Sequence, residues 1–159
     1  MSVRSQIFGA VRSRLALNLT GALDLTGSPF PAPSARLPAY AIRIAEQSAE
    51  PADMGSNWLI VRDRLTLHGW AEGDQSLAPA MLSFAGELRD LMLAAPVDLG
   101  GLAESITPAG LDVAQHAGER RVLGCEVAFD LLYLEAPPAA PIAGDAGAFS
   151  AGFSLGFLS

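Results

Sequence analysis

The sequence predicts an α+β domain in two layers, a mostly antiparallel sheet of about four strands with two helices on one face. Three observations carry that prediction. Residues 58–70, WLIVRDRLTLHGW, alternate apolar and polar, with Leu59, Val61, Leu65 and Leu67 out of step with Arg62, Arg64 and His68, as in a strand with one face in a core. Residues 76–93, SLAPAMLSFAGELRDLML, instead repeat their apolar residues at steps of three and four, with Glu87, Arg89 and Asp90 mainly on the other side, as in an amphipathic helix. The predicted order is helix, strand, strand, helix, strand, strand, so both strand pairs form hairpins and the helices share one face of a single sheet.

Taken in order, residues 2–17 read as a helix capped by Ser2. Val3, Ile7, Phe8, Val11 and Leu15 form its apolar stripe, opposite Arg4, Arg12 and Arg14. Residues 18–36 are rich in Gly, Pro and Ser and read as a long surface loop, with Leu23, Leu25 and Phe30 tucked beneath it. A first strand is expected over residues 37–45, entered at Pro38. Residues 46–57, EQSAEPADMGSN, are acidic and turn-rich and read as an extended, mobile hairpin loop. After the second strand, Asp74 or Ser76 can cap the second helix, and Pro79 falls in the first turn, where its missing N–H is not needed. Residues 95–110 read as loop with room for one helical turn, 111–116 as a short third strand and 120–134 as a long fourth. The domain is placed at residues 1–135. A Pro-, Gly- and Ala-rich extension follows at 136–159, with spaced Phe residues that are expected to dock on their own domain or on a neighbouring chain.

The chain is long enough to bury a core without staples. No apolar run approaches the roughly 18 to 20 residues that cross a bilayer. The net charge is −7, and the ten basic residues are all arginine, a balance that argues against gripping a nucleic-acid backbone. The single cysteine, Cys125, excludes an internal disulfide and reads as a small core residue. His68 and His116 have no partners at ligand spacing, so no metal site is expected. The sequence has no G-x-S-x-G elbow and no phosphate loop ending in Lys, and with no lysine it can form no Schiff base. No catalytic residue and no cofactor is expected, which directs function towards binding and assembly.

Several segments resemble the tail terminators of long-tailed phages, the U-type minor tail proteins of lambda-like phages, whose parts also occur in phage-like gene transfer agents. The resemblance covers roughly residues 3–135 and lies in order, spacing and residue class. It rests on the helical start, LPAYAIRI as the first strand, the acidic loop, NWLIVRDRLTLHGW, the capped helix ending ELRDLML, and PAGLDVAQHAGERRVLGCEVAFDLLYLE. It implies a non-enzymatic virion protein at the head-proximal end of the tail, assembled in the host cytoplasm. Such a protein forms a homohexameric ring that stops tube polymerisation and presents a docking surface for the head connector. Its partners would be itself, the tail tube protein and the head connector or stopper protein. DNA would pass through without specific binding, and no membrane is involved. On that reading Glu46, Glu50 and Asp53 are candidates for lumen or tube-facing positions, where acid repels phosphate. Phe149, Phe153, Phe157, His116, Arg120 and Arg121 are candidates for subunit or partner contacts. Two alternatives stay open: a head–tail joining protein, and a small non-enzymatic α+β domain that binds a ligand or regulates.

Overall fold

A computed structural model describes residues 1–27, 37–116 and 121–137, with the side chain of His116 excepted. Two helices, α1 (Val3–Asn18) and α2 (Ala78–Leu93), cover one face of a sheet built from β1 (Leu23–Asp24), β2 (Ala39–Pro51), β3 (Leu59–Glu72), β4 (Ser105–His116) and β5 (Val122–Glu135). The sheet order is β1-β2-β3-β5-β4, antiparallel throughout except for the two-residue β1, which runs parallel to the start of β2. This is the α+β two-layer fold that the alternating and helical periods predict, with one short strand added.

The stripes sit where their spacing places them. Ile7, Val11 and Leu15 of α1 and Met81, Ala85, Leu88 and Met92 of α2 are buried against Leu65 and Leu67 of β3 and Val127, Phe129 and Leu131 of β5. Ser2 caps α1, its hydroxyl accepting the Ser5 N–H at 3.2 Å. The choice between Asp74 and Ser76 falls to Asp74, whose Oδ1 accepts the Ser76 N–H at 3.0 Å and starts the short 3-10 turn Gln75–Leu77 ahead of α2. On the opposite face of the sheet a smaller cluster gathers Leu25, Ala39, Trp70 and Val122.

Two boundaries differ from expectation. β2 runs on through residues 46–51, so Glu46 and Glu50 lie on a strand and only Asp53 lies in the connecting turn. That turn is an ordered one: the Ala52 N–H donates to the Trp58 carbonyl at 2.9 Å, the Ser56 N–H to the Asp53 carbonyl at 3.2 Å, and Gly55 supplies the left-handed residue at φ 87°. Pairing with residues 59–63 of β3 supplies the backbone bonds that EQSAEP does not advertise in its composition. β4 likewise begins at Ser105 rather than at residue 111, because β5 offers it partners from Leu132 to Val122. Pro108 is tolerated there because β4 is an edge strand with a register shift between Pro108 and Gly110.

α2 can approach β3 closely because residue 69 is glycine. A Cβ at Gly69 would lie 2.4 Å from Phe84 Cε1 and 2.9 Å from Cys125 Sγ. Gly69→Ala is therefore expected to lower stability by about 1–3 kcal/mol, the usual cost of overpacking a filled core, read as a lower urea midpoint with an unchanged slope.

Candidate functional site

The densest polar constellation lies where α1 begins. Asp63 occupies the apolar phase of β3, between Val61 and Leu65, and has no exposure. Burying a carboxylate there is expensive unless it is paired and hydrogen-bonded. Arg4 supplies both, with Nε donating to Oδ2 at 2.7 Å and Nη2 to Oδ1 at 3.0 Å in a fork. The Tyr133 hydroxyl of β5 donates to Oδ2 at 2.7 Å. Arg4 also pairs with Glu46, which sits opposite Asp63 in the β2–β3 register. Nearby, the Val3 N–H donates to Glu135 Oε1 at 3.1 Å. Arg4 thus ties the start of α1 to β2 and β3, and the Val3 N–H ties it to β5. The bond to Asp63 first, and the bond to Glu46 after it, hold the Arg4 guanidinium well above its usual range. Both Asp63 oxygens are occupied by internal donors and neither reaches solvent, so the cluster acts as a clamp.

The other arginines of α1 also stitch. Arg12 donates to Asp24 at 2.6 Å, while Asp24 Oδ1 accepts the Thr26 N–H at 2.9 Å. Arg14 donates to the carbonyls of Leu91, Met92, Ala94 and Pro96 at 2.7–3.2 Å. The Leu91 and Met92 carbonyls are among those that the end of α2 leaves without helical partners, Ala94 is its cap and Pro96 lies just beyond, and a cation also suits the negative end of the helix dipole.

On the face of the sheet away from the helices, Arg64 pairs with Asp130 at 2.7 Å, His68 Nδ1 lies 3.7 Å from a Glu126 carboxylate oxygen, and the His68 and Trp70 rings stack at 5.7 Å. Cys125 is buried in the core, as its place in the alternation predicts. Among the described residues no three His, Cys, Asp or Glu side chains are grouped to hold a metal ion, and no helix is long and apolar enough to cross a membrane.

What remains is surface. The β2–β3 hairpin ends in a fully exposed Met54 and a half-exposed Trp58. Among the described residues β4 pairs only with β5, and β2 beyond Ile42 pairs only with β3, so the two sides of the sheet end in different open edges. At the end of α1, a cavity of about 350 Å³ opens between Leu19, Trp70, Met81 and Phe84.

The predicted site residues scatter across these features. Glu46 is held by Arg4, while Glu50 and Asp53 are exposed along the hairpin. Arg121 pairs with Asp74 at 3.6 Å, and its carbonyl accepts the Gly73 N–H at 2.9 Å. Phe149, Phe153, Phe157, Arg120 and the His116 side chain lie outside the described residues. The clamp was not anticipated. Its signal was an aspartate in phase with Val61 and Leu65, which demands a buried cation or donor from elsewhere in the chain.

Arg4→Met strands the Asp63 carboxylate and is expected to cost about 2–4 kcal/mol, somewhat below the value for a fully buried pair because Arg4 is partly exposed. Adding Asp63→Asn should recover part of that loss, read by urea titration of both variants. A second expectation concerns alkaline pH. Burial pushes the Cys125 thiol from 9.0 up to about 11, and burial together with the bond to Asp63 also raises the Tyr133 phenol. Both groups stay neutral in the folded protein at pH values where the unfolded chain ionises them, so their contribution is whole below the unfolded value and lost above the folded one. Stability should therefore fall as pH rises from 9.0 to about 11, and Cys125→Ala should flatten that fall.

Compared with known proteins, the chain matches no protein-family model and no curated protein sequence.

Proposed function

We propose that this chain is a structural subunit that assembles with copies of itself into a six-fold ring, and that the ring closes the head-proximal end of a phage-like tail tube as a tail terminator. The observation that carries the reading is the β2–β3 hairpin, where, among the described residues, Met54 stands fully and Trp58 half exposed at the tip. Exposed apolar side chains on an ordered, projecting element suit docking on another chain. Two features support a ring. The open edges, β4 on one side and β2 on the other, are different surfaces, as a heterologous contact that closes on itself requires. Each edge also carries a proline and a register shift, Pro51 with the shift at 46–48 and Pro108 with the shift at 108–110. Such devices discourage indiscriminate strand pairing and suit a subunit that waits for its tube before it associates.

Resemblance in element order and residue class supplies the choice of tail tube. The net charge of −7 and the exposed Glu50 and Asp53 fit a channel end that lets DNA pass without binding it. Localisation in the virion follows from the same reading.

Electron microscopy of particles assembled without this protein tests the proposal. Overlong or irregular tails are expected. Normal tails detached from heads would overturn it in favour of a head–tail joining protein, and normal particles would overturn both. Met54→Asp with Trp58→Asp should lower the unfolding free energy from urea titration by no more than about 1 kcal/mol, since Met54 is fully and Trp58 half exposed, yet abolish incorporation into particles.

A further inference from the structure

We propose that neighbouring copies meet side by side, with Arg43 at the β2 border of one copy set against Asp112 and Glu126 at the β4 border of the next. The inference rests on the ring reading and deepens it by naming which sides meet and which charges select them.

The register places the charges. Directly paired residues of an antiparallel sheet share a face, as do alternate residues of one strand. Leu65 and Leu67 of β3 are buried under the helices, so Arg62, Arg64, Thr66 and His68 stand on the other face. Reading across that face from β2 to β4, one row is Ala41, His68, Glu126 and Asp112, and the next is Arg43, Thr66, Ala128 and Gly110. The arginines of the face, Arg43, Arg62 and Arg64, all belong to β2 and β3. Its middle carboxylates, Asp112, Glu126 and Asp130, all belong to β4 and β5, which contain no arginine. Glu50 and Glu72 lie only at the two ends of the basic half. Charge therefore divides the face across its strands, from one border to the other.

At each border one group lacks a match. Arg43 is exposed and, among the described residues, makes no hydrogen bond or ion pair. It lies just past the stretch of β2 that β1 covers. Asp112 is exposed on β4, the border strand of the other side, and stands directly opposite Glu126. Like charges so placed destabilise a sheet. A guanidinium brought in by a neighbour offsets that repulsion. The borders also meet nearly level: the Arg43 and Asp112 rows are two residues apart, about 7 Å, which an arginine side chain can bridge. A proline and a register shift on each edge oppose a continuous backbone ladder, so side chains make this seam. A surface ion pair adds little affinity. Its effect is selection, because joining two like borders sets like charges together at a larger cost. Unlike borders joined in one sense form the heterologous contact that a ring needs.

The test uses charge reversal in the full-length chain. Association is followed by sedimentation and electron microscopy, alone or with purified tail tubes, under conditions where the parent forms rings. Arg43→Glu by itself, and Asp112→Arg with Glu126→Arg by themselves, each put like charges at every seam. Each should weaken association at least about tenfold, with a urea midpoint close to the parent's because all three sites are exposed. An equal mixture of the two variants should recover parental association, since each seam then joins two parental borders or two reversed ones, and a ring of six can alternate. The three substitutions in one chain should recover it as well. A fold defect or a lost tube contact is not repaired by mixing. Reversals that leave association at the parental level, or losses that neither the mixture nor the triple variant recovers, would each overturn the seam while leaving the ring in place. A parent chain that stays monomeric both alone and with tail tubes refutes the ring reading and the seam together.

Discussion

A carboxylate with no exposure, set in the apolar face of a sheet, cannot be left to itself, and the arrangement of this domain follows from how Asp63 is matched. The match needs a cation that arrives from across the core and a donor from the neighbouring strand. Arg4 and Tyr133 meet that need, and in doing so they fix the start of α1 against β3 and β5. Glu46 joins from β2, in register with Asp63 and beside the place where the β2–β3 register shifts. The hairpin beyond this point therefore projects from a pinned base. Apolar packing alone would let α1 slide along the sheet at small cost, since neighbouring aliphatic sites differ little in energy. A buried ion pair allows no such freedom, because any shift leaves a charge unmatched.

The same helix settles the position of α2. Arg14 reaches the last carbonyls of α2 and the chain just past it, where no glycine turns the backbone into a standard helix stop: Ala94 at the cap is extended, and Pro96 follows. Arg12 fixes Asp24, which in turn orders the chain that leads away from β1. Three arginines on what reads as a solvent face are thus spent on three different elements. Hydrophobic burial supplies the bulk of the stabilisation, and these contacts decide which packing is adopted.

This division explains what the sequence does and does not disclose. α1, α2, β3 and most of β5 are legible because each carries its own period, and Ile7, Val11, Leu88 and Leu67 could be assigned to the core from spacing alone. The outer half of β2 and the start of β4 carry no such signature. EQSAEP and SITPAG are poor strand formers that become strands because β3 and β5 present long, unsatisfied backbones beside them. A local reading sees the propensity of the segment and misses the partner. β1 is a stronger case, with two residues held to Ala39 and Tyr40 and nothing in LD to announce it. The clamp was half legible: an aspartate in the apolar phase of β3 predicts that a partner exists, but choosing Arg4 among ten arginines requires the fold. Of the site residues drawn from sequence, Glu50 and Asp53 lie on exposed surface, whereas Glu46 is engaged by Arg4 at the base of the hairpin.

The two faces and two edges of the sheet are treated differently, and that asymmetry bears on assembly. One face is sealed by helices. The other carries charged and polar side chains along its middle, Arg64 with Asp130 and His68 beside Glu126, and the small apolar cluster of Leu25, Ala39, Trp70 and Val122 at one end. Both edges are blunted by proline and by register shifts. With edge pairing discouraged, the proposed association would run through features that protrude, such as the tip of the hairpin with its exposed Met54 and Trp58. Contacts of that kind are small. A single one buries too little to hold two copies together at low concentration, because the freedom lost by fixing a partner opposes it. In a closed ring the last contact forms within an assembly already held together, at a high effective concentration, so several weak contacts suffice where one does not. On the proposed reading, a subunit held to its neighbours only by such contacts would stay dissociated until a template gathered its copies, as a protein acting at the end of a growing tube requires.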